Sequence, residues 1–298
     1  MKLTANQFSF EVVDAGDRSA PAVVLINGLG HQLTYWPAEL LDALLAAGYR
    51  VIRFDNRDTG LTQSLGSVAN PNFIWFMVRN HFGLPATPPY TLQDMADDVA
   101  GILDALAIDA AHVVGISMGA MIGQRLALAA PGRVLSLASI MGSSGAAGLP
   151  GPSLAVIKRL RQRPPKEREA LLDHMTAMQL LIGSPAWPAD PAVIRRQMAA
   201  ALDRAHRPEG FMRQVIAIAA DKQRAALLGG IRVPTLVVHG KADPLIPFPA
   251  AEDTQWRIPG ARLLAVDGMG HDLPPGLCPY LAGELVAHFA NSLVKTHA

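Results

Sequence analysis

Cysteine is almost absent from this sequence, with Cys278 the single one among 298 residues. A chain with one cysteine cannot form an internal disulfide, and such usage is typical of a reducing compartment, so we expect a cytoplasmic protein. Cys278 stands in a proline-flanked run without the strand–turn–helix context of a nucleophile. We therefore expect no redox or nucleophilic role for this thiol.

Charge and long apolar runs are scarce as well. Only 17% of the residues are charged, the formal net charge is +1, and no basic stripe with interleaved aromatics occurs, which argues against a nucleic-acid partner. No stretch of about eighteen apolar residues occurs and residues 1–10 lack the apolar core of a signal peptide, so we expect no membrane partner. No Cys and His cluster has metal-ligand spacing, and Gly-Leu-Gly at 28–30 lacks the rest of a dinucleotide fingerprint. The sequence therefore predicts neither a metal nor a cofactor.

What the chain does have is a regular alternation of apolar runs and helical segments. The predicted strands are 8–13, 22–26, 49–54, 112–116, 134–141, 234–238 and 262–266, and the clearest helices are 36–47 and 91–107. Short, fully apolar strands separated by helices are typical of a parallel sheet covered on both faces. Ligand sites in such sheets form at the carboxyl ends of the strands, so we expect residues just past these ends to lie close together.

One strand ends in a motif with chemical meaning. Residues 113–119 read Val-Val-Gly-Ile-Ser-Met-Gly and pass directly into a helical segment. A serine in so sharp a turn needs small residues two positions to either side, because a Cβ there would collide with neighbouring backbone, and Gly115 and Gly119 meet this need. The turn exposes the Ser117 hydroxyl and leaves the Met118 N–H at a helix N-terminus, facing negative charge. The flanks favour a nucleophile over an ordinary turn with a helix-capping serine.

A serine nucleophile needs a base within hydrogen-bond reach, and that base needs a buried carboxylate to hold one tautomer. Asp243 and His271 follow the strands predicted at 234–238 and 262–266, each in a glycine-containing loop. The chain order Ser117, Asp243, His271 is nucleophile, acid and base, which is the order of the nucleophile-elbow hydrolases. We therefore predict that these three side chains form a catalytic triad.

Other histidines and carboxylates fit the pattern less well. His239 lies within the end of a strand, where packing is the simpler role, and His31 precedes the serine in the chain. Asp267 and Asp272 flank His271, and a near neighbour in sequence rarely points back at the imidazole. Asp243 and His271 are thus the pair that the sequence favours.

The alternation of strands and helices breaks after residue 145. No convincing strand follows until residue 230, but helical pieces punctuated by proline occur at 153–163, 166–182, 191–206 and 211–228. We therefore predict a core formed by residues 1–145 and 231–298, with residues 146–230 inserted as a helical cap over the carboxyl edge of the sheet.

A second irregular stretch, at 71–89, is apolar and aromatic. It either lines a pocket beneath the cap or packs against the cap as a loop and helix turn, and both interpretations stay open. The candidate substrate-binding side chains, taken from this stretch, the cap and the loop after the second predicted strand, are His31, Phe73, Trp75, Met178 and Trp187.

From about residue 8 to residue 289 the chain resembles an α/β-hydrolase-fold serine hydrolase. The motifs that carry the resemblance lie at 27–30, 55–60, 115–119, 243–244 and 268–271, and the segments 55–60, 234–247 and 258–262 are similar to aclacinomycin methylesterase-like carboxylesterases. The resemblance implies an eight-stranded, mostly parallel sheet with helices on both faces, a helical cap inserted before the acid-bearing strand, and no cofactor. It also implies that Leu29 supplies the first oxyanion N–H, beside that of Met118. Asn27 departs from the family pattern, which commonly has histidine there.

The expected reaction is hydrolysis of a small to medium hydrophobic ester, methyl esters included, through an acyl-enzyme. The same triad cleaves carbon–carbon bonds in dienone acids, opens enol-lactones or makes peracids, and the sequence does not separate these reactions. A ligand-binding relative with little turnover is a further alternative. The oligomeric state cannot be read from the sequence.

The charged loop at 55–60 also has two interpretations. Asp55, Arg57 and Asp58 follow a predicted strand and could bind substrate at its carboxyl end. Ion pairing within the loop, which would hold it beside the oxyanion strand, is the interpretation that we favour.

Overall fold

The protein, described here by a computed structural model that covers residues 1–66, 68 and 71–295, is built on one sheet of eight strands within those residues. The strands are β1 Lys2–Ala5, β2 Phe8–Ala15, β3 Ala22–Ile26, β4 Arg50–Phe54, β5 Ala111–Ile116, β6 Val134–Ile140, β7 Thr235–Gly240 and β8 Arg262–Val266. Their order across the sheet is β1-β2-β4-β3-β5-β6-β7-β8. β2 pairs antiparallel with β1 and β4, and the other neighbours pair in parallel. The expected eight-stranded, mostly parallel sheet is confirmed.

Burial explains why the central strands could be recognised and the first one could not. Every residue of β3, β5 and β7 is buried, so these segments are continuously apolar rather than alternating. β1 has four residues at the edge of the sheet, and its burial is exposed, intermediate, exposed, buried. Such a short, half-solvated strand has no distinctive apolar pattern, and the prediction that the sheet opens at residue 8 was wrong.

Helices cover both faces of the sheet, as predicted. They are α1 Ala38–Ala46, α2 Phe73–His81, α3 Leu92–Ala105, α4 Met118–Ala129, α5 Leu154–Leu160, α6 Arg168–Ile182, α7 Pro191–Arg204, α8 Pro208–Ala220, α9 Arg224–Leu227, α10 Pro249–Arg257 and α11 Cys278–Lys295. Leu40 of α1 and Leu285 of α11 belong to one apolar cluster, and Val99 of α3 and Ile122 of α4 belong to the other. No helix in the described ranges has both the length and the apolar character needed to cross a membrane.

The stretch at 71–89 is not irregular throughout, because α2 forms within it. The Asn72 side chain accepts a hydrogen bond from the Trp75 N–H at 3.1 Å, so Asn72 caps the first turn of α2. An asparagine three residues before the recipient N–H is a helix-start signal that the sequence interpretation missed.

The helix predicted at 211–228 is divided in two. α8 ends at Ala220, and α9 begins only at Arg224. Asp221 lies between them and accepts hydrogen bonds from Arg125 Nε at 2.9 Å and Arg224 Nε at 2.7 Å. Arg125 lies on α4, and Arg224 also donates to Gln124 Oε1 and Ser143 O, so Asp221 ties the break between the two helices to α4 and to the loop after β6.

Helices α5 to α9 all lie between β6 and β7 in the chain, and this inserted segment contacts loops at the carboxyl ends of the strands. Gln32, after β3, donates to the backbone oxygens of Ala201 and Ala205 at 2.7 and 3.0 Å. Ala186 N–H donates to Gly268 O, after β8, at 3.1 Å. The inserted segment therefore lies against the edge where the predicted site residues are found, and its division from the core at residues 145 and 231 stays a prediction.

Candidate active site

Ser117 occupies a strained turn between β5 and α4. Its φ and ψ are 54° and −118°, a conformation that residues with a Cβ rarely adopt. A Cβ on Gly115 would collide with the Gly119 carbonyl, and one on Gly119 would collide with the Ile26 carbonyl. The Ser117 N–H donates to Ile140 O at 2.9 Å, which holds the turn against β6. The two glycines are therefore needed where the sequence motif places them.

His271 lies between Ser117 and Asp243 and contacts both. Its Nε2 is 3.0 Å from Ser117 Oγ, and its Nδ1 is 2.6 Å from Asp243 Oδ2. The backbone of this loop is held by the inserted segment, because His271 N–H donates to Ile182 O at 2.7 Å and Gly270 N–H donates to Ser184 Oγ at 2.9 Å. The structure thus brings together three side chains that are 126 and 28 positions apart in the chain, counted from 117 to 243 and from 243 to 271.

The Asp243 carboxylate is buried and saturated with donors. Oδ1 accepts from the Leu245 and Ile246 N–H groups, both at 2.8 Å, which leaves Oδ2 for His271. Burial by itself would raise the pKa of Asp243, but the hydrogen bonds from His239 and His271 outweigh it and lower that pKa to about 2. Asp243 is therefore a carboxylate at neutral pH and favours a proton on the facing Nδ1.

His239 contacts the acid, a role that the sequence interpretation missed. Its Nε2 is 2.7 Å from Ile246 O and 3.3 Å from Asp243 Oδ2. A carbonyl oxygen only accepts, so Nε2 carries the hydrogen and His239 acts as a donor toward this loop. The signal available in the sequence was a histidine four positions before the aspartate, at the end of β7.

The loop after β3 approaches the serine from the other side. A Cβ placed on Gly28 would come within 3.2 Å of Ser117 Cβ, and Leu29 follows directly. Met118 is the first residue of α4, and an N–H in the first turn of a helix has no intrahelical acceptor. Both residues predicted to supply the oxyanion donors are thus next to positions in contact with Ser117 or adjacent to it in the chain.

Asn27 is fully buried at the base of the same loop. Its Nδ2 donates to Phe54 O at 3.3 Å, and its backbone oxygen accepts from Asn56 Nδ2 at 3.0 Å. Asn27 therefore links the loop after β3 to the loop after β4, in the position where the resembling family commonly has histidine.

The charges of the loop at 55–60 are paired with helices rather than with one another. Arg57 pairs with Asp98 of α3 at 2.6 Å, Asp58 with Arg213 of α8 at 2.7 Å, and Asp55 with Arg204 of α7 at 2.7 Å. The favoured interpretation, ion pairing within the loop, was therefore wrong about the partners. Two of the three pairs connect this loop to the inserted segment.

His31, one of the predicted substrate-binding residues, lies near His271 and Gly28. Its ring stacks on Tyr35 with centroids 3.8 Å apart, and Nδ1 lies 3.5 Å from where a Cβ on Gly28 would stand. Burial, and then the charge of His271, lower the pKa of His31 to about 4. His31 is therefore neutral at neutral pH and adds no charge beside His271.

The remaining predicted substrate-binding residues are spread over three places. Phe73 and Trp75 lie on α2, and the Trp75 side chain is 66% exposed. Met178 is half-buried on α6. Trp187 packs against the apolar cluster beneath α1 and α11, and a Cβ on Gly276 would come within 2.9 Å of its ring.

Comparison with known proteins identifies the family of this chain. The model of the alpha/beta hydrolase family matches residues 23–289. Rhodomycin D methylesterase DnrP of Streptomyces peucetius is 32% identical over 293 residues, covering 92% of each chain. The putative carbamate hydrolase RutD of Variovorax paradoxus is 33% identical over 246 residues, covering 80% of this chain and 79% of that protein.

A solved structure shares the same fold over almost the whole chain. The meta-cleavage product hydrolase CumD of Pseudomonas fluorescens superposes with a TM-score of 0.76 at 19% identity and covers 98% of both chains. At that identity the likeness concerns the fold alone. The family match and the identity to DnrP go further and confirm the resemblance drawn from the motifs: this chain belongs to the alpha/beta hydrolase family, as a hydrolase of the carboxylesterase type.

Proposed function

We propose that this protein hydrolyses a small to medium hydrophobic carboxylic ester through an acyl-enzyme, with Ser117, His271 and Asp243 as its catalytic triad. One observation carries the proposal. A strained serine, an imidazole and a carboxylate with a lowered pKa are joined in series by contacts of 3.0 and 2.6 Å. This arrangement gives a hydroxyl the adjacent base and the oriented tautomer that it needs to act as a nucleophile.

In the first half of the reaction, His271 Nε2 takes the proton of Ser117 as Oγ attacks the ester carbonyl carbon. Asp243 stabilises the imidazolium that forms, because its carboxylate faces the protonated Nδ1 at 2.6 Å. His271 then gives the proton to the leaving alcohol as the carbon–oxygen bond breaks. The product of this half is an acyl group on Ser117 and a free alcohol.

The second half repeats the first with water in place of the serine. His271 removes a proton from water as its oxygen attacks the acyl carbon, and the proton returns to Ser117 as the acid leaves. In both halves the carbonyl oxygen becomes an oxyanion, and we assign its two donors to the N–H groups of Leu29 and Met118. A preformed donor of this kind typically contributes about 10²–10³ in rate.

We propose the inserted segment, residues 146–230, as the cap over this site. Its half-buried Met178 and the residues Phe73, Trp75 and Trp187 are the proposed apolar surface for the substrate, with His31 beside the reacting centre. A methyl ester is the substrate class that identity to DnrP, a methylesterase by name, favours within this proposal. A cytoplasmic location follows from the scarcity of cysteine.

Ser117→Ala tests the proposal. It should lower hydrolysis of p-nitrophenyl acetate or butyrate by about 10⁶-fold, because the nucleophile is lost while the fold remains. It should also abolish covalent labelling by a fluorophosphonate, followed by intact-protein mass. Undiminished turnover in this variant would end the proposal, and labelling of the native protein without turnover of any methyl, short-acyl or aryl ester would argue for a different reaction of the same triad.

Ser136→Ala is the matched control. Ser136, like Ser117, contacts a histidine, with Oγ 2.9 Å from His112 Nδ1, but it is fully buried in the interior of the sheet. We expect this variant to keep ester turnover within about twofold and to label normally, since Ser136 has neither the turn nor the acid of the Ser117 site.

A further inference from the structure

Gln214 of α8 joins the inserted segment to two core loops through one buried amide. Its Oε1 accepts from the Gly30 N–H at 2.9 Å, and its Nε2 donates to Arg57 O at 3.0 Å and Thr59 Oγ1 at 2.7 Å. The residue has no solvent exposure. One acceptor and two donors are what a glutamine amide offers in a plane, so these three bonds use both of its N–H groups and its oxygen.

The Gly30 N–H belongs to the peptide unit that follows Leu29, the residue assigned as the first oxyanion donor. That unit is planar, so the bond to its N–H fixes the orientation of the Leu29–Gly30 unit. The Leu29 N–H belongs to the preceding unit, which joins this one at the Leu29 Cα and whose carbonyl, Gly28 O, accepts from the His31 N–H at 3.2 Å. A fixed Leu29–Gly30 unit therefore limits how far the Leu29 N–H can turn. A flip of this unit would turn the Leu29 carbonyl oxygen toward Gln214 Oε1 and set two acceptors against each other. Gln214 thus favours the orientation of the Leu29–Gly30 peptide unit in which its N–H faces the Gln214 side chain.

The same loop has the freedom to move without such a bond. Gly30 has a φ of +69°, and glycine at this position can pass between conformations that other residues rarely reach. The ring of Phe211, one turn before Gln214 on α8, lies where a Cβ on Gly30 would be, within 2.7 Å. α8 therefore covers Gly30 with an aromatic ring and holds its N–H with an amide.

We infer that Gln214 is a positioning residue for the oxyanion hole: through the Gly30 N–H it holds the Leu29 donor at the place where the carbonyl oxygen of the substrate becomes negative. The inference rests on the proposed function. In this inference α8 does more than cover the Gly30 loop. A polar side chain of the inserted segment helps to position a donor that acts in the reaction at Ser117.

Gln214→Leu removes all three hydrogen bonds with little change in volume. We expect kcat for p-nitrophenyl butyrate to fall by about tenfold to 10²-fold and KM to change by less than about threefold, because the donor acts on the oxyanion and not on the bound ester. Gln214→Glu keeps an acceptor for the Gly30 N–H and should lose less in kcat than Gln214→Leu.

Thr59→Val is the control for a loss of stability alone. It breaks the bond between Gln214 Nε2 and Thr59 Oγ1 and leaves the bond to Gly30 in place. We expect its melting temperature to fall by roughly 2–4 °C, while kcat stays within about threefold of the native value. A merely structural Gln214 would behave in the same way, with a lower melting temperature and an unchanged kcat.

Binding of phenylboronic acid separates the two roles directly. Boronic acids form a tetrahedral adduct on a serine and place an oxygen at the oxyanion position, so their affinity reports the donors without turnover. The dissociation constant should rise in Gln214→Leu by about the factor lost in kcat and stay near the native value in Thr59→Val.

If Gln214→Leu and Gln214→Glu both keep kcat and boronate affinity within threefold, the inference is overturned even where they melt earlier. The proposed function stands or falls separately on Ser117→Ala, which removes the nucleophile and leaves the Gln214 bonds in place. A native-like rate in Ser117→Ala would remove the proposed function itself.

Discussion

A serine contacts a histidine near each end of β5, in a buried pair at the start of the strand and in a partly buried pair just past its end. At the start of the strand, His112 Nδ1 lies 2.9 Å from Ser136 Oγ on β6. Just past its end, Ser117 Oγ lies 3.0 Å from His271 Nε2. The distances are nearly equal, so the contact itself does not distinguish a catalytic pair from a packed one.

The surroundings differ in two respects. Ser117 has a positive φ and precedes a helix N-terminus, whereas Ser136 lies within strand β6, just after a shift in its register against β5. His271 contacts Asp243 with its second nitrogen, whereas Nε2 of His112 is buried without a hydrogen-bond partner within the described part of the chain. The carboxylate and the turn, more than the serine–histidine contact, therefore distinguish the Ser117 site from the Ser136 site.

Among variants that keep the serine, the largest effect should come from removing the carboxylate charge that distinguishes the Ser117 end. In Asp243→Asn, the amide oxygen should accept from the Leu245 and Ile246 N–H groups, as Oδ1 does now, and the NH₂ group should then face His271. That favours the tautomer with a proton on Nε2, which cannot take the proton of Ser117. We expect kcat to fall by about 10⁴-fold, measured on p-nitrophenyl butyrate.

This variant isolates the tautomer because it keeps size and shape. Its melting temperature and far-ultraviolet circular dichroism should show a folded protein, and fluorophosphonate labelling should be slowed along with turnover. A loss in kcat of less than tenfold would mean that the carboxylate is not what separates the two serine–histidine pairs.

The pH dependence of the free energy of unfolding should reveal the protonation of His112, near the start of β5. Burial, and then the charge of His288, lower the pKa of His112 to about 4, against about 6.5 in an unfolded chain. Between these values the unfolded state binds a proton that the folded state does not, so the free energy of unfolding falls as the pH falls. From pH 6.5 to 4.5, His112 alone should account for a loss of about 2 kcal/mol.

Urea denaturation at the two pH values measures this loss, and His112→Asn should reduce it by that amount. The quantity compared is the difference between pH values, because the substitution also leaves a cavity that lowers stability at every pH. His31 is shifted in the same direction, so part of the acid loss should remain in the variant. Asp243 acts in a separate window, since its lowered pKa contributes stability that is lost only as the pH falls from about 4 through 2. An unchanged difference would show that His112 takes up its proton in the folded state.

The smallest effect should come from His239, which adds a second donor at the acid. His239→Phe removes the contact to Asp243 Oδ2 and leaves Oδ1 and His271 untouched. We expect kcat to fall by about threefold to tenfold, and His239→Gln, whose amide nitrogen replaces Nε2, to recover most of it. Equal rates in the Phe and Gln variants would show that His239 only packs against Phe248.

The fold and the central residues could be predicted because each rests on a local pattern. Apolar runs without alternation indicated the buried parallel strands. Glycines two positions before and after Ser117 indicated a sharp turn, because a Cβ at either position would collide with backbone. The order of Ser117, Asp243 and His271 then led to three loops at one edge of the sheet. Each strand, and the loop that carries each of these three residues, has a pattern that can be read from neighbouring positions, although the three residues themselves are far apart in the chain.

Other features depend on contacts between distant segments and had no local signal. Gln214 is one polar residue in an amphipathic helix, and its partners lie 155 to 184 positions away. Asp55 and Asp58 were expected to pair nearby but meet arginines of α7 and α8. Only tertiary packing brings these groups together, and a single sequence does not show it.

The inserted segment makes hydrogen bonds to the loop of Gly30 and to the loop of His271. Its Gln214 holds the loop of Gly30, and its Ile182 and Ser184 hold the loop of His271. A hinged movement of the whole segment would consequently break these three contacts together. Displacement of the segment and the conformation of the two loops beside Ser117 are therefore coupled.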